Sequence, residues 1–316
     1  MQAPSNETHA HSASLERVQQ AISHCLGPAV LRLLGDKQVV EILLNADGSL
    51  WAETLGKGMH RQDIGLSAHD AQALIRLVAS HSEVGVCNEQ NPSLSCAFPL
   101  GKARFQAFLP PLVCAPAFSI RKHAVAVFTL QDYVNTNVLT PKQHQALVHA
   151  VHNRHNVLIV GGTGSGKTTL ANALLHEMAR TSHRVITIED TPELNCVCPN
   201  TVQIVTRANI GYTMRHALRD VLRFRPDRIV VGEVRDGSAL DLLKAWNTGH
   251  NGGVATIHAN SAQLGLTRLE SLIAEVAVNV PRDLIAQAVN VVLFLCRTNT
   301  GRQVREVLQV HAACNN

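Results

Sequence analysis

Hydrophobic positions follow two different rhythms along the chain. In the first they come as short, half-apolar segments broken by turn residues. Leu15, Val18, Ile22 and Leu26 fall on one helical face, Gly27-Pro28 interrupts it, and 30–34 resumes the pattern. A strand is expected over 39–44, with Asp47-Gly48 marking a hairpin turn after it. Ser67 and Asp70 form a capping box ahead of a helix whose apolar face is Leu74, Leu77 and Val78. Three more strands are expected over 95–100, 103–109 and 117–121, punctuated by Gly101 and Pro110-Pro111. The mixture predicts an α+β domain over 15–123. A polar, aperiodic tail over 1–14 precedes it, and disorder is expected there.

From Ala124 the pattern weakens, and a linker is expected over 124–140. Thr140-Pro141 reads as an N-cap followed by proline at the first helical position, which opens a second domain over 141–316. There the rhythm changes. The runs 156–160, 184–188, 228–231, 254–257 and 290–296 are continuously apolar and β-branched, with helical stretches between them. Such runs suit strands buried on both faces, so an α/β domain with a mostly parallel sheet is expected. A turn over 298–302 and a partly exposed strand over 304–310 would close the sheet edge.

One junction in the second block carries chemistry. The strand at 156–160 runs into Gly161-Gly162-Thr163-Gly164-Ser165-Gly166-Lys167-Thr168, which fits G-x-x-x-x-G-K-[ST], and Leu170, Leu174 and Met178 then recur at helical spacing. Glycines let successive backbone N–H groups turn inward around phosphate oxygens, and the following helix aims the positive end of its dipole at the same place. Lys167 would neutralise the β and γ phosphates of ATP, and the Thr168 hydroxyl would ligate Mg²⁺. Without nucleotide, the lysine is expected to face solvent.

Composition narrows the picture further. At 316 residues and 46% hydrophobic content, two domains with their own cores are expected. A net charge of +4 does not point to nucleic acid, and 3% aromatic residues argue against a stacking channel for single strands. The eight cysteines contain no C-x-x-C pair, so reduced thiols in a cytoplasmic protein are the expectation. No charged-then-apolar leader and no apolar run near ~18 residues is visible, so any membrane contact should be peripheral.

Two strand ends deliver carboxylates. Ile229-Val230-Val231-Gly232-Glu233 is an apolar strand ending in an acid, where a residue that orients or deprotonates the attacking water is needed. Glu189 and Asp190 close the run before it. Parallel strands bring their C-terminal ends together, so these acids should reach Mg²⁺ through water or position the nucleophile. Asp190 could instead N-cap whatever follows at Thr191-Pro192-Glu193. His258 ends the strand 254–257 and could sense a γ phosphate, or be one bystander among seventeen histidines; His250 could be structural. Arg215, Arg219, Arg223 and Arg225 crowd one segment, as a solvated face or as residues that reach a neighbouring subunit's ATP. Arg104 and Arg121 sit among apolar residues of the first domain and, on pattern alone, could simply point to solvent.

The combination resembles the secretion and conjugation ATPases of the type II/type IV secretion superfamily. Four blocks carry the resemblance: 161–169 as Walker A, 186–194 as the Asp box, 222–235 as Walker B, and 240–260 as the His box. It implies a PAS-like N-terminal domain, a RecA-like P-loop NTPase domain, and a homohexamer at the cytoplasmic face of the inner membrane with secretion or conjugation components as partners. It also implies that Lys167, Glu189, Glu233 and His258 are catalytic, and that Gly161 to Thr169 bind nucleotide with Arg104 and Arg121. Thr168, Glu189 and Asp190 would serve the metal. Arg219 and Arg223 would match subunit-crossing basic residues. Two features depart from the family pattern. Only Cys196-Val197-Cys198 hints at the four-cysteine zinc insertion of type II relatives, so no structural zinc is expected, and Asp236-Gly237-Ser238 replaces a more usual glycine and glutamate. The function implied is a conjugative type IV secretion motor. The rivals are a pilus or type II secretion motor of the same superfamily, a RecA-like nucleic-acid translocase, and an ATP-binding scaffold without hydrolysis.

Overall fold

Gly27 bends the first helix. In the computed structural model α1 (Asn6–Gly35) is one helical run interrupted there, where φ is 67° and ψ 167°, a left-handed region that glycine enters without strain, and Pro28 follows inside the helix. The structure describes residues 6–54, 57–82, 84–101, 103–122, 128–298 and 301–310. Helix reaches back to Asn6, so the stretch expected to be a disordered tail is helical over 6–14. Once a buried turn has nucleated a helix, each added residue gains a hydrogen bond without needing an apolar face, which is why periodicity did not signal it. Residues 1–5 lie outside the described residues.

The chain divides into two compact units, Met1–Val125 and Ala126–Asn316. In the first, β1 (Val39–Leu44), β2 (Ser49–Thr54), β3 (Gly58–Gly65), β4 (Ser93–Phe98), β5 (Ala103–Phe108) and β6 (Ala117–Lys122) form one antiparallel sheet in the order β3-β2-β1-β6-β5-β4. Helix α2 (Ala68–His81) starts at Ser67, whose side chain accepts from the Asp70 backbone. Inward residues such as Ile42, Leu94, Phe105 and Ile120 pack with Ile22, Leu26, Leu74, Ile75 and Val78 into one core. The alternation read from the sequence is thus that of a sheet with one covered face.

The second unit begins earlier than expected. Part of the stretch assigned to a linker is α3 (Leu130–Asn135), capped by Thr129 and Asp132, and Leu130, Tyr133 and Leu139 are buried in the core of this unit. Six residues are too short a window for the spacing of Leu130, Tyr133 and Val134 to stand out, so the helix is fixed by the packing it enters. Residues 123–127 lie outside the described residues. Helix α4 (Pro141–His152) then opens with the expected Thr140 cap and proline.

Seven strands follow: β7 (Val157–Val160), β8 (Val185–Glu189), β9 (Thr201–Val205), β10 (Arg228–Val231), β11 (Val254–Ile257), β12 (Val291–Thr298) and β13 (Gly301–Gln309), in the order β13-β12-β7-β11-β10-β8-β9. All pairings are parallel except the β12–β13 hairpin at the edge. Val157 and Ile159 of β7 pack with α3, α4 and α5 (Lys167–Met178). Leu158 and Val160 face the opposite layer of α6 (Met214–Val221), α7 (Ser238–Asn247), α8 (Ala262–Ala274) and α9 (Arg282–Ala288). The sheet is therefore sandwiched between two helical layers, which is why its central strands are buried at every position and mostly apolar. Strand β9 is only half-buried, and its mixed pattern did not announce it.

Candidate functional site

The loop over 161–166 is shaped by close approach. A Cβ on Gly161 would lie 2.4 Å from the Leu295 carbonyl oxygen of β12 and 2.6 Å from Ser165 Oγ, so only glycine fits as the chain leaves β7. Gly164 and Gly166 have φ of 70° and 100°, the second as N-cap of α5 with no side-chain cap bond. The first-turn N–H groups of that helix are left to an anion. Ser165 is buried, and its Oγ has no hydrogen-bond partner. Gly162, Thr163 and Gly164 form the outer rim, and Thr168 and Thr169 are half-buried on the first turn.

Lys167 does not face solvent. It is 7% exposed, and its Nζ donates to the carbonyl oxygens of Gly161 at 2.9 Å and Gly162 at 3.0 Å. The loop carbonyls stand where phosphate oxygens would otherwise satisfy the ammonium, so the side chain is already drawn into the loop. The same Nζ lies 3.3 Å from His258 Nδ1, and His258 Nε2 lies 3.1 Å from Glu233 Oε1. One tautomer serves both contacts, with Nδ1 accepting from Lys167 and Nε2–H donating to Glu233.

Glu233 is gripped from the other side by Arg235, whose Nη2 lies 2.8 Å from Oε2, while Nη1 of the same guanidinium reaches Asp190 at 2.9 Å. Burial pushes the Glu233 carboxyl up, but the hydrogen bond and charge of Arg235, with His258 and Lys167 behind it, outweigh burial and hold it below its ordinary value. Arg235 closes the 222–235 block, where sequence pattern alone assigns it no role. Its position two residues past a strand-end glutamate is the signal that could have found it. Asp190 is half-exposed and no helix follows it, so its reading as an N-cap is corrected.

Glu189 is turned inward. It is 4% exposed, its Oε1 accepts from the backbone N–H groups of Glu193 and Leu194 at 2.9 and 2.8 Å, and its side chain packs where a Cβ on Gly232 would stand. Burial pushes its carboxyl up to about 7, with the two N–H groups offsetting part of the rise. The segment it anchors carries Glu193, whose Oε2 accepts from Thr168 Oγ1 at 3.1 Å. Asn172 of α5 holds the same segment through the Glu193 carbonyl and the Asn195 N–H. Cys196 and Cys198 are buried just beyond it, Cys196 accepting from Thr201 Oγ1 at 3.3 Å. Nothing in the local pattern around Glu193 signals this contact, because it depends on how the segment folds back onto α5.

The remaining candidates fall elsewhere. Arg219 and Arg215 both pair with Asp241 of α7, at 3.5 and 3.0 Å, and Arg223 is exposed. His250 Nδ1 lies 2.9 Å from the Pro226 carbonyl oxygen, a loop-to-loop contact. Arg104 and Arg121 belong to the first unit, directly opposite one another on β5 and β6, with Glu41 opposite Arg121 on β1. Among the described residues, no group of three or more His, Cys, Asp or Glu side chains could hold a metal ion.

Residues 71–315 match the family model described as type II/IV secretion system protein. The chain belongs to this family. The conjugal transfer protein TrbB of Rhizobium radiobacter is 42% identical over 302 residues, covering 95% of this chain and 92% of its own. The type IV secretion system protein VirB11 of Bartonella henselae is 31% identical, over 77% of this chain and 78% of its own. Among solved structures, the pilus retraction motor PilT with bound ADP superposes with a TM-score of 0.66 at 21% identity, covering 95% of this chain and 83% of its own. The Legionella pneumophila ATPase DotB does so with 0.64 at 20% identity, covering 88% and 80%. These two likenesses show the fold.

Proposed function

We propose that this protein is an ATP-hydrolysing motor of a conjugative type IV secretion apparatus. The observation that carries the reading is the convergence of Lys167, His258 and Glu233 on the glycine-rich loop within 3.3 Å of one another in sequence of contact. A cation to neutralise phosphate, an imidazole beside it and an ionised carboxylate beyond form the set that phosphoanhydride hydrolysis needs. The identity to a conjugal transfer protein supports conjugation over the pilus and type II alternatives.

In this reading Lys167 leaves the loop carbonyls for the β and γ phosphates. Glu233, held ionised by Arg235, orients the attacking water and accepts its proton, and His258 donates to the terminal phosphate. The oxygen donors near the loop, the Thr168 hydroxyl with Glu193 and Asp190, are the hard set that Mg²⁺ takes, with most of its shell left to water and phosphate. Bound there, Mg²⁺ would supply charge neutralisation at the phosphates. Glu189 acts on this set through the segment it anchors.

In the same proposal the first unit is PAS-like and the second RecA-like, and the protein is a homohexamer docked peripherally on inner-membrane secretion components, without direct nucleic-acid binding. Arg104 and Arg121 would contact nucleotide from the first unit, and Arg219 and Arg223 would act across subunits, Arg219 after leaving Asp241. No helix among the described residues is long and apolar enough to cross a membrane. The test is a Glu233→Gln variant of the assembled protein. It should retain ATP while turning over at least about a hundredfold more slowly, and the same allele should abolish plasmid transfer. Wild-type turnover in the variant would reject the reading.

A further inference from the structure

A second cation reaches the glycine-rich loop from the opposite flank. Arg302 stands near the start of β13, on the side of β7 away from β11, and its stem covers Gly166: a Cβ built on that glycine would lie 3.1 Å from Arg302 Cδ and 3.3 Å from Nε. Its Nε is buried without a hydrogen-bond partner, and none of the ion pairs among the described residues includes it. A buried guanidinium N–H with no acceptor costs stability, so an Nε held in that state beside an anion-binding loop is suited to an acceptor that a ligand brings. Tyr133 of α3 is buried, which pushes its phenol up, and the Arg302 charge pulls it partly back.

The two flanks of the loop differ in kind. His258 and Glu233 stand at the ends of β11 and β10, on one side of β7, and they are the groups that act on a terminal phosphate. A polyphosphate chain is linear, so with its terminal phosphate on that side the remainder of the nucleotide runs past Gly166 and the start of α5. Arg302 lies on that path.

We propose that Arg302 binds the α-phosphate of the nucleotide, as a contact common to the diphosphate and the triphosphate. This rests on the nucleotide reading of the loop given above. Because the α-phosphate is present before and after hydrolysis, Arg302 would hold the nucleotide through the cycle, whereas His258 and Glu233 would discriminate between its two states. Gly166 then has a second task beyond its positive φ: a side chain there would push the guanidinium stem off the loop.

The experiment is equilibrium binding of ADP and of a non-hydrolysable ATP analogue, each with magnesium, to the full-length protein and its Arg302→Ala and Arg302→Gln variants. Circular dichroism checks the fold, and the glutamine retains most of the stem should alanine fail to fold. The expected result is a loss of about tenfold or more for both ligands alike, with Arg302→Lys recovering part of it, since a single charge-assisted contact is worth roughly that factor. Unchanged affinity in a folded variant overturns the inference, and so does a loss confined to the triphosphate analogue, which would put Arg302 at the γ end. A parent protein that binds neither ligand would overturn the nucleotide reading itself, which separates the two failures.

Discussion

Arg235 holds Glu233 through a contact of 2.8 Å between Nη2 and Oε2. The carboxylate that would align water is therefore fixed by a cation only two residues away, while His258 takes its other oxygen at 3.1 Å. Arg235 is the main force drawing the Glu233 carboxyl below its ordinary value against burial. Arg235→Ala removes that force, so the Glu233 pKa must rise. The acidic limb of the turnover–pH profile should move to higher pH. A profile recorded between pH 5 and 9 with its limb unmoved would show that Arg235 does not control Glu233.

Lys167→Ala should reduce ATP turnover by at least about a hundredfold. Because the ammonium is inside the loop, hydrogen-bonded to Gly161 and Gly162, the substitution also removes internal contacts and should cost about 1 kcal/mol of stability. Steady-state phosphate release and urea unfolding measure the two effects. Equal turnover in variant and parent would end the motor hypothesis.

Glu189 predicts a stability that falls with pH. Its folded value near 7 stands above an ordinary 4.5, so the folded state binds the proton more tightly than the unfolded chain. Its contribution is fully present below the unfolded value and is lost as pH rises through 7. Glu189→Gln keeps an oxygen for the Glu193 and Leu194 N–H groups while removing the buried charge. At about 1.4 kcal/mol per pKa unit, the variant should gain on the order of 2–3 kcal/mol relative to the parent between pH 5 and pH 8. Thermal melts at both values decide it, and a gap that does not widen with pH would refute the buried-charge account.

Asn156 ties three segments at the base of the sheet. Its Oδ1 accepts from Gly252 and Gly253 at 2.7 and 3.0 Å, and its Nδ2 donates to the Ala288 carbonyl at 2.6 Å. The residue is 2% exposed, so Asn156→Ala leaves buried backbone groups without partners and should destabilise by about 2–4 kcal/mol. Urea denaturation gives the value. A loss under about 0.5 kcal/mol would mean the groups find other partners.

Much of the second unit was legible because its signals are local. The glycine pattern, the apolar strand before it and the helical spacing after it are adjacent in the chain, and each is dictated by backbone sterics and burial. The N-terminal turns of α1, the helix α3 and the strand β9 were not legible. The first turns of α1 lack an apolar period, the patterns of α3 and β9 span too few residues to stand out, and each owes its existence to what it continues or packs against. The orientation of Lys167 also escaped, because a loop's carbonyl directions are invisible in residue types.

The sequence by itself determined that a phosphate-cradling loop lies between a doubly buried strand and a helix, since that depends only on glycine freedom, hydrophobic continuity and short-range order. Only the tertiary structure decided which distant residues meet there. His258 reaches Lys167 across 91 positions, Arg235 joins Glu233 to Asp190, and Arg302 covers Gly166. Parallel strand order and helix packing set those meetings, and no local pattern encodes the contacts between strand ends that sheet topology brings together.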